Sequence, residues 1–306
     1  MKGPACSTAW YNRGSQKFMS KRHPIIAVTG SSGAGTSTTG RIFRRMFDSE
    51  GLSAAMVGGD SFHRYTREQM ARLAAKGQFG ARNHFALGAN HIDRLESLFY
   101  DYSLTGNGRY RQYVHDEDFA LVAEGNKPGS FTPWQDLPPE TSLLFYEGLH
   151  GGVVSDAFNI AQYVDLLIGV VPIVNLEWIQ KIHRDTHKRG YSQEAVVETI
   201  LNRMNDYVHD IVPQFSHTHI NFQRVPLVDT SNPFVVRDVP TEDESMLVIH
   251  FRDAREVDFP YLLQVIPNSV LSRHDTLAIP GTKMSLAMEL IVRPMVQRLM
   301  AQKAFA

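Results

Sequence analysis

Gly30-Ser31-Ser32-Gly33-Ala34-Gly35-Thr36-Ser37-Thr38 follows the apolar run Ile25-Ile26-Ala27-Val28 and leads into a helical pattern. Three glycines within six positions let the backbone reach conformations closed to other residues, so successive amide N–H groups can converge on phosphate oxygens. A helix opening at about Thr36 adds its positive N-terminal end. Against the phosphate-loop pattern G-x-x-x-x-G-K-[ST], the glycines and Ser37 fit, while Thr36 stands where Lys is expected. The bland alternative is a Gly/Ser turn between strand and helix. Spacing and strand-loop-helix context together favour nucleotide binding, and the missing Lys demands a cation from elsewhere in the chain.

The chain has 306 residues, 43% of them apolar, which is ample for a packed core. A formal net charge of −1 with no extended Lys/Arg cluster gives no footprint for nucleic acid. The longest apolar stretch, Leu166 to Val174, is about half the ~20 residues a spanning helix needs, so no membrane partner is expected and the protein reads as cytosolic. A single cysteine, Cys6, excludes an intramolecular disulfide and a Cys-rich zinc site. Residues 1–22 lack periodicity and read as a disordered extension, leaving 23–306 as one domain with no repeat and no linker.

Ile25 to Val28 reads as a buried strand and Thr38 to Glu50 as the helix behind the loop, stopped by Gly51. Ala54 to Val57 reads as a second strand, delivering Gly59-Asp60-Ser61-Phe62-His63-Arg64 to the edge where open α/β sheets gather ligand-binding residues. Asp60 is there either a base or a turn and cap residue. His63, Arg64 and Arg67 follow as candidates for an anionic substrate, against the alternative of ordinary surface cations. Thr66 with Gln69 forms a capping box. Asn90 is expected to cap a helix through Ile92, Leu95, Leu98 and Phe99 that closes over Tyr102 to Gly108, and Tyr110 to Val114 reads as a short strand. His115-Asp116-Glu117-Asp118 reads as a solvated run rather than a metal site, and Gly125 to Pro139 as a flap-like loop.

Ser142 to His150 is a continuous apolar run ending in Glu147, the way a central parallel strand brings a carboxylate to a nucleotide's metal. Glu147 and Ser37 are the candidate oxygen ligands for Mg²⁺. Leu166 to Pro172 reads as another buried strand, after which Asn175 is expected to cap a helix. In that helix Leu176, Ile179 and Ile182 share one side, and Glu177, Lys181, Arg184 and Lys188 line the other. A Glu177 to Lys181 pair on a solvated face is the ordinary reading. The missing loop Lys makes Lys181 and Arg184 candidate donors to the γ-phosphate. Further on, Ser192 caps a helix carrying Ala195, Val196, Ile200, Met204 and Val208 on one face. His217 and His219 lack a third ligand at suitable spacing, Val225 to Val228 and Met246 to Phe251 read as strands, and Leu286 to Leu299 reads as a helix kinked at Pro294.

The loop at Gly30 to Thr38, together with Gly59 to Arg64, Leu144 to His150, Glu177 to Asp185 and Val228 to Phe234, resembles the bacterial phosphoribulokinases over nearly everything after Met19. Thr36 in place of Lys is itself similar to those enzymes. The resemblance implies an α/β, P-loop nucleoside/nucleotide-kinase-like fold, with a mostly parallel mixed sheet and flanking helices. It implies transfer of the ATP γ-phosphoryl to the 1-hydroxyl of ribulose 5-phosphate, the step that forms ribulose 1,5-bisphosphate for carbon dioxide fixation in the Calvin cycle. On matching positions, Gly30, Ser31, Ser32, Gly33, Ala34, Gly35, Thr36, Ser37 and Thr38 would bind the nucleotide, and Asp60 would take the hydroxyl proton. Ser37 and Glu147 would hold Mg²⁺, and Asp185 would assist at the metal or phosphoryl group. Lys181 and Arg184 would neutralise the transferring phosphoryl, while His63, Arg67, Arg184 and Arg189 would contact the sugar phosphate. A uridine or pantothenate kinase and a non-catalytic nucleotide-binding regulator are the competing readings. The first normally keeps the loop Lys, and the second has no need of an acceptor-side Asp60.

The same resemblance implies a homo-oligomer, commonly an octamer, controlled by NADH and AMP through arginines at subunit contacts. Asp48-Ser49-Glu50 stands where those enzymes tend to carry basic residues, and His250 where they tend to carry Arg, although Arg273 remains. A plant-type redox switch is excluded by the lone cysteine. Weakened NADH control is therefore expected: titrating NADH into an activity assay should change the rate little, and strong activation would contradict the expectation.

Overall fold

The computed structural model describes residues 22–30, 36–75, 83–116, 118–171, 173–187, 190–235 and 238–304. The expected extension over 1–21, the loop residues Ser31 to Gly35, and Arg189 lie outside the described residues, as do the side chains of Thr36, Ser37 and Thr38.

An eight-stranded sheet organises the chain. Its first five members in spatial order are β2 (Ala54–Gly58), β5 (Leu143–Gly148), β1 (Ile25–Gly30), β6 (Leu166–Val171) and β7 (Ile220–Pro226), all parallel. Three antiparallel strands extend it: β8 (Ser245–Phe251), β10 (Thr276–Pro280) and β9 (Val270–Arg273). A small ribbon pairs β3 (Arg109–Tyr110) with β4 (Gln135–Asp136). The central parallel strands β1, β5 and β6 read as apolar runs because both of their faces are covered. Successive residues alternate between the two cores. Ile26 and Val28 of β1 and Leu143 and Phe145 of β5 pack with Phe43, Met46 and Phe47 of α1 (Thr36–Ser49) and with Ala287, Met288, Ile291 and Val296 of the C-terminal helix (Met284–Ala304). Ile25, Ala27, Leu144 and Tyr146 pack on the opposite side with Phe62 and with Leu95, Leu98, Phe99 and Tyr102 of α3 (Ile92–Thr105).

Helix and strand types follow the expectations, with several boundary corrections. Thr66 and Gln69 do form the capping box of α2 (Arg67–Ala75), each backbone N–H donating to the other side chain. Asn90 does not cap α3. His91 holds that position, and α3 continues through Tyr102 to Thr105 before Gly106 turns it off at φ 72°. Nor does Asn175 cap α5 (Val174–His187): it lies inside the first turn, where its amide donates to the Thr230 carbonyl. Only Tyr110 of the expected 110–114 strand belongs to β3, with a single bridge from Tyr113 to Phe131 beyond it. β7 begins at Ile220 rather than Val225, since Ile220 and Phe222 are buried while the intervening Asn221 and Gln223 broke the apolar signal. Val208 is 51% exposed, because α6 (Gln193–Asp206) gives way to a wider turn over Tyr207–Ile211 that rotates it outward.

That wide turn and the following tight one (Val212–Ser216) deliver the buried Gln214 to the sheet's carboxyl edge. Its Oε1 accepts from Gly152 N (3.0 Å) and Thr29 Oγ1 (3.1 Å), and its Nε2 donates to the carbonyls of Leu149 (2.9 Å) and Asp210 (2.7 Å). One side chain thus ties the exits of β1 and β5 to the segment after α6. No helix among the described residues is long and apolar enough to cross a membrane. Gln214→Leu should leave buried backbone groups unpaired and cost about 3 kcal/mol. Urea melts should show a lower midpoint at unchanged m-value, and an unchanged midpoint would contradict this role.

Candidate active site

Gly30 at the end of β1, Asp60 just past β2 and Glu147 near the end of β5 come to the carboxyl edge of the parallel strands, where an α/β sheet opens a ligand crevice. β1 ends at Gly30, where the phosphate loop begins, and α1 starts again at Thr36. In the neighbouring strand Glu147 is paired in register with Val28 of β1 and Gly58 of β2. Its carboxylate lies against α1: a Cβ added to Gly40 would fall 2.1 Å from Glu147 Oε2. Gly40 is one turn past Ser37, so the glycine admits the carboxylate to the helix flank nearest the loop. A carboxylate offers oxygen ligands, the donor type suited to a hard divalent cation.

β2 feeds directly into a tight turn, Gly59–Phe62, that carries Asp60. The turn can approach β5 closely because two glycines face each other. A Cβ on Gly59 would lie 2.7 Å from Gly148 Cα and 2.6 Å from Tyr146 Oη. Behind the turn, the guanidinium of Arg111 lies over the Phe131 ring at 3.6 Å and the Trp134 ring at 4.8 Å. From there it donates to the carbonyls of Ser61 and His63. Burial, with Arg94 adding repulsion, pushes Arg111 down to about 10. The aromatic sandwich compensates by cation–π attraction, and the Asp60 turn is clamped from below.

Asp60 forms the floor of a cleft of about 250 Å³ shared with Ser61, Gln112, Tyr113, His115 and Asp118. Its side chain remains 46% exposed toward that cleft. Its Oδ1 is 3.0 Å from His63 Nε2, and its Oδ2 is 3.6 Å from His115 Nε2. The low-dielectric surroundings raise the carboxyl's affinity for a proton. The charge and hydrogen bond of His63, with His115 and His84 behind, outweigh them and hold it well below the usual carboxylate range. His84 stacks on His63 with ring centroids 3.6 Å apart. Burial first, and then His63, push His84 down to about 3. His150, fully buried with its Nε2–H donating to the Phe85 carbonyl at 3.0 Å, is pushed down to about 4, chiefly by burial. Both are therefore neutral near pH 7.

α5 supplies the cations. Leu176, Ile179 and Ile182 are buried as their spacing required, but Glu177 is buried as well, so a solvated Glu177 to Lys181 pair does not describe this face. Lys181 Nζ donates to Asp185 Oδ2, one turn further on, and Arg184 Nε donates to Asp185 Oδ1 at 3.0 Å. Asp185 is 4% exposed. Burial acts to raise it, but the two cations prevail and keep it below its ordinary value. Lys181 is lowered to about 8 by burial and then by Arg203, against the pull of Asp185. Lys181 and Arg203 line one cavity with Phe85, the residue after His84, so α5 faces the histidine cluster across that side chain.

Asp60 and His63 are thus brought into contact, as are Lys181, Arg184 and Asp185. Arg67 is engaged elsewhere, donating through Nη1 and Nη2 to both oxygens of Asp116 (2.9 and 3.0 Å). The run at 115–118 is accordingly no merely solvated stretch: His115 and Asp118 line the cleft, and Asp116 binds Arg67. Sequence reading passed over His84, Asn90, Arg111, Tyr113 and His115 as site residues. None lies at a fixed spacing from the loop, and only the return of the segment after α2 across the β2 exit assembles them.

Comparison with known proteins matches this architecture. Residues 25–231 match the Phosphoribulokinase / Uridine kinase family. The chain is 56% identical over 288 residues to a phosphoribulokinase of Xanthobacter flavus, covering 93% of this chain and 99% of that one. It is 55% identical over 287 residues to a probable phosphoribulokinase of Escherichia coli K12, with the same coverage. The solved phosphoribulokinase from Rhodobacter spheroides superimposes with a TM-score of 0.84 at 51% identity, over 93% of this chain and 99% of that one. The P-loop α/β fold with its mostly parallel sheet has its counterpart in these relatives, and the chain belongs to the phosphoribulokinase/uridine kinase family.

Proposed function

We propose that the protein transfers the γ-phosphoryl group of ATP to the 1-hydroxyl of ribulose 5-phosphate. The observation that supports this reading most is Asp60, a carboxylate open to a cleft and flanked by His63 and His115, just past β2 on the sheet edge where β1 leads into the loop. A pure nucleotide sensor has no use for that acceptor side, and the relatives named as phosphoribulokinases point to the sugar phosphate as acceptor.

The hydroxyl oxygen attacks the γ-phosphorus, and the bond to the β–γ bridging oxygen breaks with its electron pair leaving on ADP. The hydroxyl proton passes to Asp60. Held so far below the usual range, Asp60 is a weak base, and its main service is to accept the hydroxyl's hydrogen bond and aim its lone pair. The proton moves late, as suits a loose phosphoryl-transfer transition state. Lys181 and Arg184 neutralise charge on the transferring group, and Asp185 holds both in place. Ser37 and Glu147 would hold Mg²⁺, which neutralises phosphate charge when bound. His63, Arg67, Arg184 and Arg189 serve the sugar phosphate. For Arg67 that service requires it to exchange Asp116 for the ligand.

Asp60→Asn tests the acceptor-side role. Ribulose 5-phosphate-dependent ADP formation should fall by about 10²- to 10⁴-fold, the usual weight of a general base, while ATP binding by calorimetry persists. Near-native turnover would remove Asp60 from the mechanism. A second test follows from Lys181, which is charged below about 8 and neutral above it. The rate should decline as pH rises through about 8, and Lys181→Arg, whose charge persists, should move that decline to higher pH. An unmoved decline would assign it to another group.

A further inference from the structure

Asn90, expected as a helix cap, turns its amide inward instead. Its backbone bridges that of His63, with His91 N donating to the Phe62 carbonyl (2.7 Å) and Arg64 N to the Ala89 carbonyl (2.8 Å). Its side chain is buried, and Nδ2 donates to the carbonyls of His84 (2.9 Å) and Ala86 (2.8 Å). Those two bonds use both amide protons and settle which end of the amide is which. The other end, Oδ1, lies 2.7 Å from His63 Nδ1 and can only accept, so Nδ1 carries a proton.

That assignment decides the contact on the far side of the ring. In a neutral imidazole with its proton on Nδ1, Nε2 presents a lone pair. Two lone pairs cannot face each other at the 3.0 Å separating His63 Nε2 from Asp60 Oδ1. The contact therefore contains a second proton, which goes to the imidazole, the stronger base of the two.

We propose that Asn90 is a positioning residue for the transfer: by accepting from His63 Nδ1 it obliges His63 to meet Asp60 as an imidazolium, which keeps Asp60 ionised and aimed before the acceptor hydroxyl arrives. The other titratable groups around this pair are His84, stacked on His63; His115 and Tyr113, from the segment after β3; His150, after β5; and Arg111, beneath the turn. His84 and His150 are neutral, so the charge is concentrated on the ring that Asn90 addresses. The inference rests on the reading of Asp60 as the acceptor-side base, and it adds the residue that sets its partner's proton.

Nitrogen-15 spectra of the ligand-free, histidine-labelled protein near pH 7 read the protons directly. The His63 signals among the 13 histidines are identified by their loss in His63→Gln. Both ring nitrogens of His63 should be protonated, and a lone pair on either would overturn the proposal. The spectrum involves no turnover, so its outcome is separate from that of Asp60→Asn. Kinetics supply the second arm. Asn90→Leu and Asn90→Asp both abolish donation to His84 and Ala86, but only Leu removes the acceptor. Asn90→Leu should lower kcat about ten- to a hundred-fold, the size of losing a hydrogen bond to a charged group, with KM for ATP little changed. Asn90→Asp should retain most of kcat, and in a His63→Gln background Asn90→Leu should cost nothing further. Equal losses for Leu and Asp, or additivity with His63→Gln, would reduce Asn90 to a structural residue.

Discussion

The site depends on how closely the exit of β2 approaches the exit of β5. Gly59 and Gly148 touch backbone to backbone, with no room for a Cβ on either, and Tyr146 fills the space beneath them. That contact fixes the height at which Asp60 emerges relative to Glu147. Two strands ending side by side thereby present two carboxylates to different surroundings. Glu147 is turned toward α1 and the loop, and Asp60 toward the open cleft.

What surrounds Asp60 then sets its chemistry. An isolated carboxylate in a partly closed cleft would tend to take up a proton. Here one imidazole is pressed against it and a second stands nearby, while His84, stacked on His63, is kept neutral by burial. Arg111 holds the turn through its carbonyls, and Asn90 holds the ring through Nδ1. α5 shows the same logic with opposite sign, since buried Asp185 keeps two cations near each other that would otherwise repel. Both halves of the site are prearranged by a residue that need not touch the reacting atoms.

Local pattern revealed much of this. Buried parallel strands write apolar runs, so β1, β2, β5 and β6 were legible, together with Asp60 just past β2 and Glu147 near the end of β5. The loop before α1 has a spacing that few other functions need, and the 3.6-residue period exposed the packed face of α5. Other features depend on partners distant in sequence, which no local period encodes. Asn90 looks like a cap because it precedes an apolar helical pattern, yet the backbone bridge to His63 redirects it. Glu177 and Lys181 share a polar face by spacing, yet the fold buries Glu177 and pairs Lys181 with the buried Asp185. His115 sits in an acidic run that reads as solvated until the chain folds it over the β2 exit.

The most direct test of the account is ADP release by the purified protein with Mg²⁺-ATP, comparing ribulose 5-phosphate, uridine and pantothenate as acceptors at equal concentration. The account predicts turnover with ribulose 5-phosphate alone. Turnover with uridine or pantothenate instead, or ATP binding without transfer to any acceptor, would contradict it.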